Sequence, residues 1–234
     1  MPIARQGRFL LSADLAHVPC IGLESRMLAA CVKEAREKKI KGVFGSPGFG
    51  FKERTLDALR ELPALEAVWF WDVALSDAEA LYDLPALRFF GVHPKRPALD
   101  FARLPELRSL VWFHQPADRG VEALRRLERL HVWRFQPKSK SFAGLLLPRK
   151  LPALQILWAN PTTLEGLAPL PGLQRLEIHR CRNLESLALL PDLFPDLRHL
   201  VVDTCGRVPK GEGERIAARL PKLEHAFVQH GKVV

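Results

Sequence analysis

Leucine and its apolar stand-ins recur along this chain with the spacing L-x-x-L-x-L, from about residue 40 onward. The in-phase copies are IKGVFG (40–45), LEAVWF (65–70), LRFFGV (87–92), LRSLVW (107–112), LERLHV (127–132), LQILWA (154–159), LQRLEI (173–178), LRHLVV (197–202) and LEHAFV (223–228). Their starts are separated by 25, 22, 20, 20, 27, 19, 24 and 26 residues. Within each copy apolar and variable positions alternate, the period of a strand buried on one face. Each copy therefore predicts one short strand with its first Leu and the two later apolar positions facing inward. Between copies run segments such as TLDALREL, DAEALYDL, GVEALRRL, TLEGLAPL and GERIAARL, whose leucines suit a short helix or irregular return behind the strand. One such unit cannot bury its apolar face alone, so units stack, with parallel strands about 4.8 Å apart.

In two copies the motif extends to L-x-x-L-x-L-x-x-C, in LQRLEIHRC ending at Cys181 and LRHLVVDTC ending at Cys205. With these residues the chain resembles the leucine-rich repeat family, in an irregular, bacterial-type form. The family places Asn or Cys at that ninth position. Here Val73, Lys95, Gln115, Phe135, Thr162 and Gly231 take it in other copies. The resemblance implies an α/β solenoid: a curved parallel sheet of about nine strands, with short helices or irregular segments on the convex side. It covers residues 40–234 as one continuous domain. Residues 1–39 do not fit the repeat. ESRMLAACVKEAREKKI (24–40) places Met27, Leu28, Cys31, Val32 and Ala35 on one helical face. The segment 1–39 is therefore expected to be an N-terminal helical cap, with a short strand at 8–12.

This register sorts the remaining strand residues onto the sheet's open, concave face in three columns. Four of the five tryptophans (Trp69, Trp71, Trp133 and Trp158) and five of the eight histidines fall there. His114 and His230 follow just after, while Trp112 takes a core position. A solenoid whose inward positions are already filled has no packing need for surface Trp, and a contiguous aromatic patch marks an interaction face. The expected anchors are Trp69, Trp71, Phe89, His93, Phe113, His131, Trp133 and Trp158, with Arg129, Arg134 and Arg175 as charged contacts. The competing reading is that a side loop or the N-terminal segment folds over the sheet and buries these rings. A contact between copies of the chain through the same face is a third.

Composition changes this picture little. The chain of 234 residues is 47% hydrophobic and 26% charged. It has no apolar run of the roughly 20 residues that span a bilayer and no apolar stretch of a signal peptide's length, so a cytoplasmic protein is expected. The formal net charge of +9 favours an acidic partner protein or nucleic acid. The basic stretch FQPKSKSFAGLLLPRK (135–150) lies in the longest repeat and is expected to emerge as a loop. With Arg129, Arg134, Arg175, Arg180, Trp133 and Trp158 it would serve the alternative function, nucleic-acid binding. The four cysteines form no CxxC pair and read as free buried thiols. GSPGFGFKERT (45–55) has the context of a phosphate loop, but Phe51 displaces Lys52 and Glu53 stands where Ser or Thr would bind Mg²⁺. His179, Asp203, Glu177 and His199 sit on adjacent strands without a nucleophile or an oxyanion hole. No cofactor, metal or enzymatic activity is expected. The expected function is binding another protein, as a scaffold, regulator or immunity-type inhibitor.

Overall fold

The computed structural model describes residues 3–13, 15–229 and 231–233. The chain divides into two compact units. The first comprises residues 1–110 with 117–120, and the second residues 111–116 with 121–234. The first contains the strands β1 (Ala4–Gln6), β2 (Phe9–Ser12), β3 (Cys20–Gly22), β4 (Gly42–Gly45), β5 (Ala67–Ala74) and β6 (Phe89–Lys95). The division runs through β7 (Ser109–Phe113). The second unit holds β8 (Arg129–Trp133), β9 (Ala153–Leu157), β10 (Arg175–His179), β11 (His199–Asp203), β12 (His225–Val228) and β13 (Gly231–Lys232).

In the first unit β1 and β2 form an antiparallel hairpin whose second strand pairs antiparallel with β3. β3, β4, β5 and β6 then run parallel in that order. β3 was not anticipated. Its pairing makes α1 (Leu28–Glu37) the return segment between two parallel strands, with Cys31, Val32 and Ala35 buried and Met27 and Leu28 only half-buried. Four later returns contain 3₁₀ turns, at Asp57–Glu61, Glu79–Asp83, Phe101–Arg103 and Val121–Ala123. Their leucines occupy the core that the strand leucines face. The segment from 45 to 55 is likewise a turn. Phe51 is buried against Phe70 with ring centroids 4.6 Å apart. At Gly45 any Cβ would meet the Phe70 ring at 2.6 Å.

In the second unit β8 to β12 are all parallel, and β13 pairs antiparallel with β12. The inward pairs Leu130/Val132, Leu154/Ile156, Leu176/Ile178 and Leu200/Val202 are each at most 1% exposed. This register corrects one repeat. Ala153 pairs with both Arg129 and Arg175, and Ile156 with both Val132 and Ile178. The copy is therefore LPALQI (151–156) rather than LQILWA (154–159), and the repeats measure 24 and 22 residues rather than 27 and 19. A slip of three is odd, so every side chain of the strand changes face. Ile156 is core, Gln155 and Leu157 are on the open face, and Trp158 lies just past the strand. The ninth position of this copy is buried Ala159, not Thr162. With the repeat at ordinary length, 135–150 is no insertion. Phe142, Leu145 and Leu147 are buried, and Phe142 stacks on Phe135 at 5.7 Å.

Four strands are followed directly by a non-glycine residue in the left-handed region at the position before an inward one: Arg134 (φ 57°), Trp158 (53°), Arg180 (56°) and Thr204 (55°). Asp72 (56°) holds the equivalent position within β5, at its bulge, and Gln229 (60°) also follows β12. The residue after each of the first five points into the core: Val73, Phe135, Ala159, Cys181 and Cys205. All four cysteines are free and buried. Burial pushes the Cys20 thiol up to about 12. The hydrogen bond with Cys205, and then burial, push the Cys181 thiol up as well.

In the first unit Arg96 and Asp118 form a buried bidentate pair. Both N–O distances are 2.7 Å, and Asp118 Oδ1 also accepts from the Leu99 amide at 2.9 Å. Removing one partner of such a pair leaves a buried charge without its counterpart, so Asp118→Ala is expected to cost about 3–5 kcal/mol in chemical denaturation. An exposed pair such as Arg198–Glu224 is expected to cost no more than about 1 kcal/mol when broken. The four thiols are expected to react with a soluble thiol reagent only at the rate of unfolding. Fast modification of native protein would contradict their burial.

Candidate functional site

The expected binding residues divide between the two units. On the first unit's open face Trp69 and Trp71 are half-buried, not free. Leu10, Leu15, Cys20 and Phe44 form a small core on this face, and Ile3, Val18, Phe49, Trp69 and Trp71 pack against it. Trp71 stacks on Phe44 at 6.1 Å and meets Phe49 edge-on at 5.6 Å. Trp69 stacks on Phe89 at 5.2 Å. The N-terminal hairpin responsible is fastened by Arg5, which donates to both Glu24 carboxylate oxygens at 3.1 Å. The N-terminal segment is thus more than an end cap. It covers the sheet face, and these tryptophans supply internal packing there. His93 is half-buried in β6, opposite a bulge of β5. Phe70 pairs with Val92 and Val73 with Pro94, so Trp71 and Asp72 together oppose one residue.

The second unit keeps its open face polar. In the register of β8, β9 and β10 lie Arg129–Ala153–Arg175, then His131–Gln155–Glu177, then Trp133–Leu157–His179. The middle row is a hydrogen-bond chain. His131 Nδ1 lies 2.5 Å from Gln155 Oε1, and Gln155 Nε2 donates to Glu177 Oε2 at 2.7 Å. Arg175 Nε donates to Glu177 Oε1 at 2.7 Å, and His179 Nε2 lies 3.1 Å from Glu177 Oε2. Because the acceptors are a carbonyl and a carboxylate, the proton sits on Nδ1 of His131 and Nε2 of His179. Burial pushes the Glu177 carboxyl up, but the hydrogen bonds from His179, Arg175 and Gln155 outweigh it and hold the group at about 2. Burial lowers His131, only partly offset by its bond to Gln155. Ala153 leaves a depression of about 330 Å³ between Arg129 and Arg175, floored by Leu130, Leu154 and Gln155.

Just beyond the strand ends the left-handed residues Arg134, Trp158 and Arg180 form a fourth row. The guanidinium carbons of Arg134 and Arg180 lie 6.0 and 5.5 Å from the Trp158 ring, and Arg134 is also 5.8 Å from Phe113. Trp133 meets Trp158 edge-on at 5.2 Å. Arg129, Arg134, Arg175 and Arg180 are exposed, and Trp133 and Trp158 are half-buried. The structure thus brings together Phe113, Trp133, Trp158 and Arg134, and places Arg129, His131 and Arg175 on the same face. Gln155 and Leu157 belong to this face and were missed through the slipped register. Asn160 lies past the end of β9. Beyond β10, His199 and His225 stack at 4.6 Å. The His179–Asp203 approach is 4.0 Å, too long for a hydrogen bond. Among the described residues no group of three or more His, Cys, Asp or Glu converges as metal ligands do. No described helix is long and apolar enough to cross a membrane. His230 lies outside the described residues.

No protein-family model matches the chain, and no curated protein matches it. Among solved structures, it is similar to the functional domain of InlJ from Listeria monocytogenes, described as including a cysteine ladder. That match has 13% identity and a TM-score of 0.42, and covers 73% of this chain and 36% of the other. The chain therefore spans little more than a third of that structure. It is also similar to the internalin InlF from Listeria monocytogenes 4b F2365. Here the identity is 15% and the TM-score 0.37, covering 77% of this chain and 72% of the other. The parallel repeat described above rests on its own register and hydrogen bonds, independently of these likenesses.

Glu177 is depressed from its ordinary 4.5 to about 2. Its ionised form therefore stabilises the fold fully above pH 4.5, and that contribution is lost as pH falls toward 2. Glu177→Gln is expected to lower stability at pH 7 and to converge with wild type near pH 2. Denaturation curves across that range check it, and a pH-independent difference would contradict the assignment.

Proposed function

We propose that the chain is a non-enzymatic protein-binding module that engages its partner through the open sheet face and strand ends of the second unit. The observation that carries this reading is the Arg134–Trp158–Arg180 row, with Trp133 and Phe113 against it. Three non-glycine residues hold left-handed backbone there, and two guanidinium groups flank the half-exposed indole without an ion pair among the described residues. Trp and Arg supply most of the energy at protein interfaces when a partner desolvates them. In this reading Trp158, Trp133 and Phe113 are the anchors, Arg129, Arg134 and Arg175 the polar rim, and His131 a neutral hydrogen-bonding group. Trp69 and Trp71 drop out as anchors, because the N-terminal segment already uses them. Four free thiols suit a reducing compartment, and the cytosol is the proposed location.

The test is affinity capture with cross-linking and mass spectrometry, comparing wild type, Trp158→Ala and Trp71→Ala after each is shown to fold. Trp158→Ala is expected to weaken partner binding by about 2 kcal/mol. Trp71→Ala should lower thermal stability and leave the captured partner in place. Cross-links confined to the first unit, with binding indifferent to Trp158, would overturn the proposal.

A further inference from the structure

The basic surplus of the chain is unevenly placed. The second unit carries 18 Lys and Arg against 11 Asp and Glu, a surplus of 7, whereas the first carries 17 against 15, a surplus of 2. Much of the second unit's acidic complement is paired on the return segments, in Arg198–Glu224, Arg207–Glu185, Arg219–Asp192 and Lys222–Asp196. The sheet face keeps arginines in a regular arrangement. β8 carries Arg129 at its start and Arg134 just past its end, and β10 carries Arg175 and Arg180 at the matching positions. Between them β9 presents Ala153 at one end and Trp158 at the other.

The four guanidinium groups therefore frame a rectangle over β9. Its short side is two strand spacings, about 10 Å, and its long side is five residues of strand, about 16 Å. Arg129, Arg134 and Arg180 have no ion-pair partner among the described residues. Arg175 is engaged by Glu177. The depression over Ala153 lies between the first two corners, and the indole of Trp158 between the last two.

We infer that this four-arginine frame selects an extended, acidic segment of the partner protein, laid along β9 with carboxylates at the corners and an apolar side chain on Trp158. The inference rests on the protein-binding reading and names the chemistry of what that reading binds. In an extended segment, side chains four apart lie on one face about 13 Å from each other, within reach of two long arginine side chains. Arginine binds carboxylates bidentately, and its fork suits a discrete acidic group at each corner. A continuous phosphate backbone fits less well, because the ionised Glu177 stands between the corners and would repel it.

The test uses fluorescence anisotropy at low and at physiological ionic strength. The probes are a labelled peptide with glutamate at every second position, its glutamine and lysine counterparts, and labelled oligothymidylate. Wild type is expected to bind the glutamate peptide and neither counterpart, with affinity falling as salt rises. The double variant Arg134→Glu/Arg180→Glu, shown by circular dichroism to fold, should lose the glutamate peptide by about tenfold or more and gain the lysine peptide. Equal binding of the glutamine peptide, or no binding of any peptide, would overturn the acidic-segment inference. If Trp158 still governs capture of the natural partner in that case, the protein-binding reading stands on its own. Oligothymidylate binding tighter than the glutamate peptide would instead assign the face to nucleic acid.

Discussion

Every repeat of this chain must leave its strand, turn through the core and return beside the strand it left, and the exit turn is where backbone geometry is hardest. Strand alternation would send the residue after the last open-face position inward. The turn instead places it in left-handed backbone, at Asp72, Arg134, Trp158, Arg180 and Thr204. For a residue with a Cβ that conformation costs roughly 1–2 kcal/mol. The gain comes one residue later, where Val73, Phe135, Ala159, Cys181 or Cys205 enters the core. A Val- or Phe-sized side chain contributes about 1.5–3 kcal/mol on burial, and Ala less. The same geometry puts the left-handed side chains in register along the strand ends, so the row that displays Arg134, Trp158 and Arg180 is a by-product of how the chain closes its core.

Much of this was legible in the sequence because the leucine pattern carries strand position and facing together. The departures have identifiable causes. In the stretch LPALQILWAN, Leu154 follows a Leu-Pro pair as Leu65, Leu87, Leu107, Leu173 and Leu223 do. That local resemblance points to Leu154 as the first leucine of its copy. The structure makes it the second, because Leu151 then aligns with Leu127 and Leu173 and the repeat lengths even out. A local dipeptide lost to the requirement that neighbouring strands share one hydrogen-bond ladder. Trp158 still came to lie beside Trp133, but through the exit turn rather than through the strand. Leu157, expected in the core, and Ile156, expected on the open face, exchanged places for the same reason.

The tryptophans of the first unit illustrate a different limit. Facing was read correctly for Trp69 and Trp71, yet facing away from the leucine core did not leave them free. Phe44 is fully buried on that same face, with Leu10 and Leu15 from the N-terminal segment closing over it. The pattern FLL at Phe9–Leu11 carried the signal, since a hairpin strand with adjacent apolar residues needs a surface to cover. An aromatic on an outward column is thus evidence for a contact, and its partner can be a distant segment of the same chain.

What distinguishes the second unit is how its polar groups share one face. Glu177 accepts from Gln155, Arg175 and His179, so a carboxylate among half-buried side chains has its lone pairs occupied and stays charged. That network holds Gln155 and His131 in fixed positions, since each donor has a single acceptor within reach. Rigid polar groups lose little entropy on binding, whereas three of the corner arginines, Arg129, Arg134 and Arg180, have no ion pair among the described residues to fix them; the fourth, Arg175, is held by Glu177. The face therefore combines a pre-organised centre with adaptable charged corners. In the proposed reading the centre would set which shapes lie flat on β9, and the corners would reward negative charge at particular places along it. A surface that needed only a positive potential would gain nothing from placing Glu177 between two of its arginines. Its presence there, held ionised by three donors, is what in the proposed reading would make the pattern of charge rather than its sum the basis of selection.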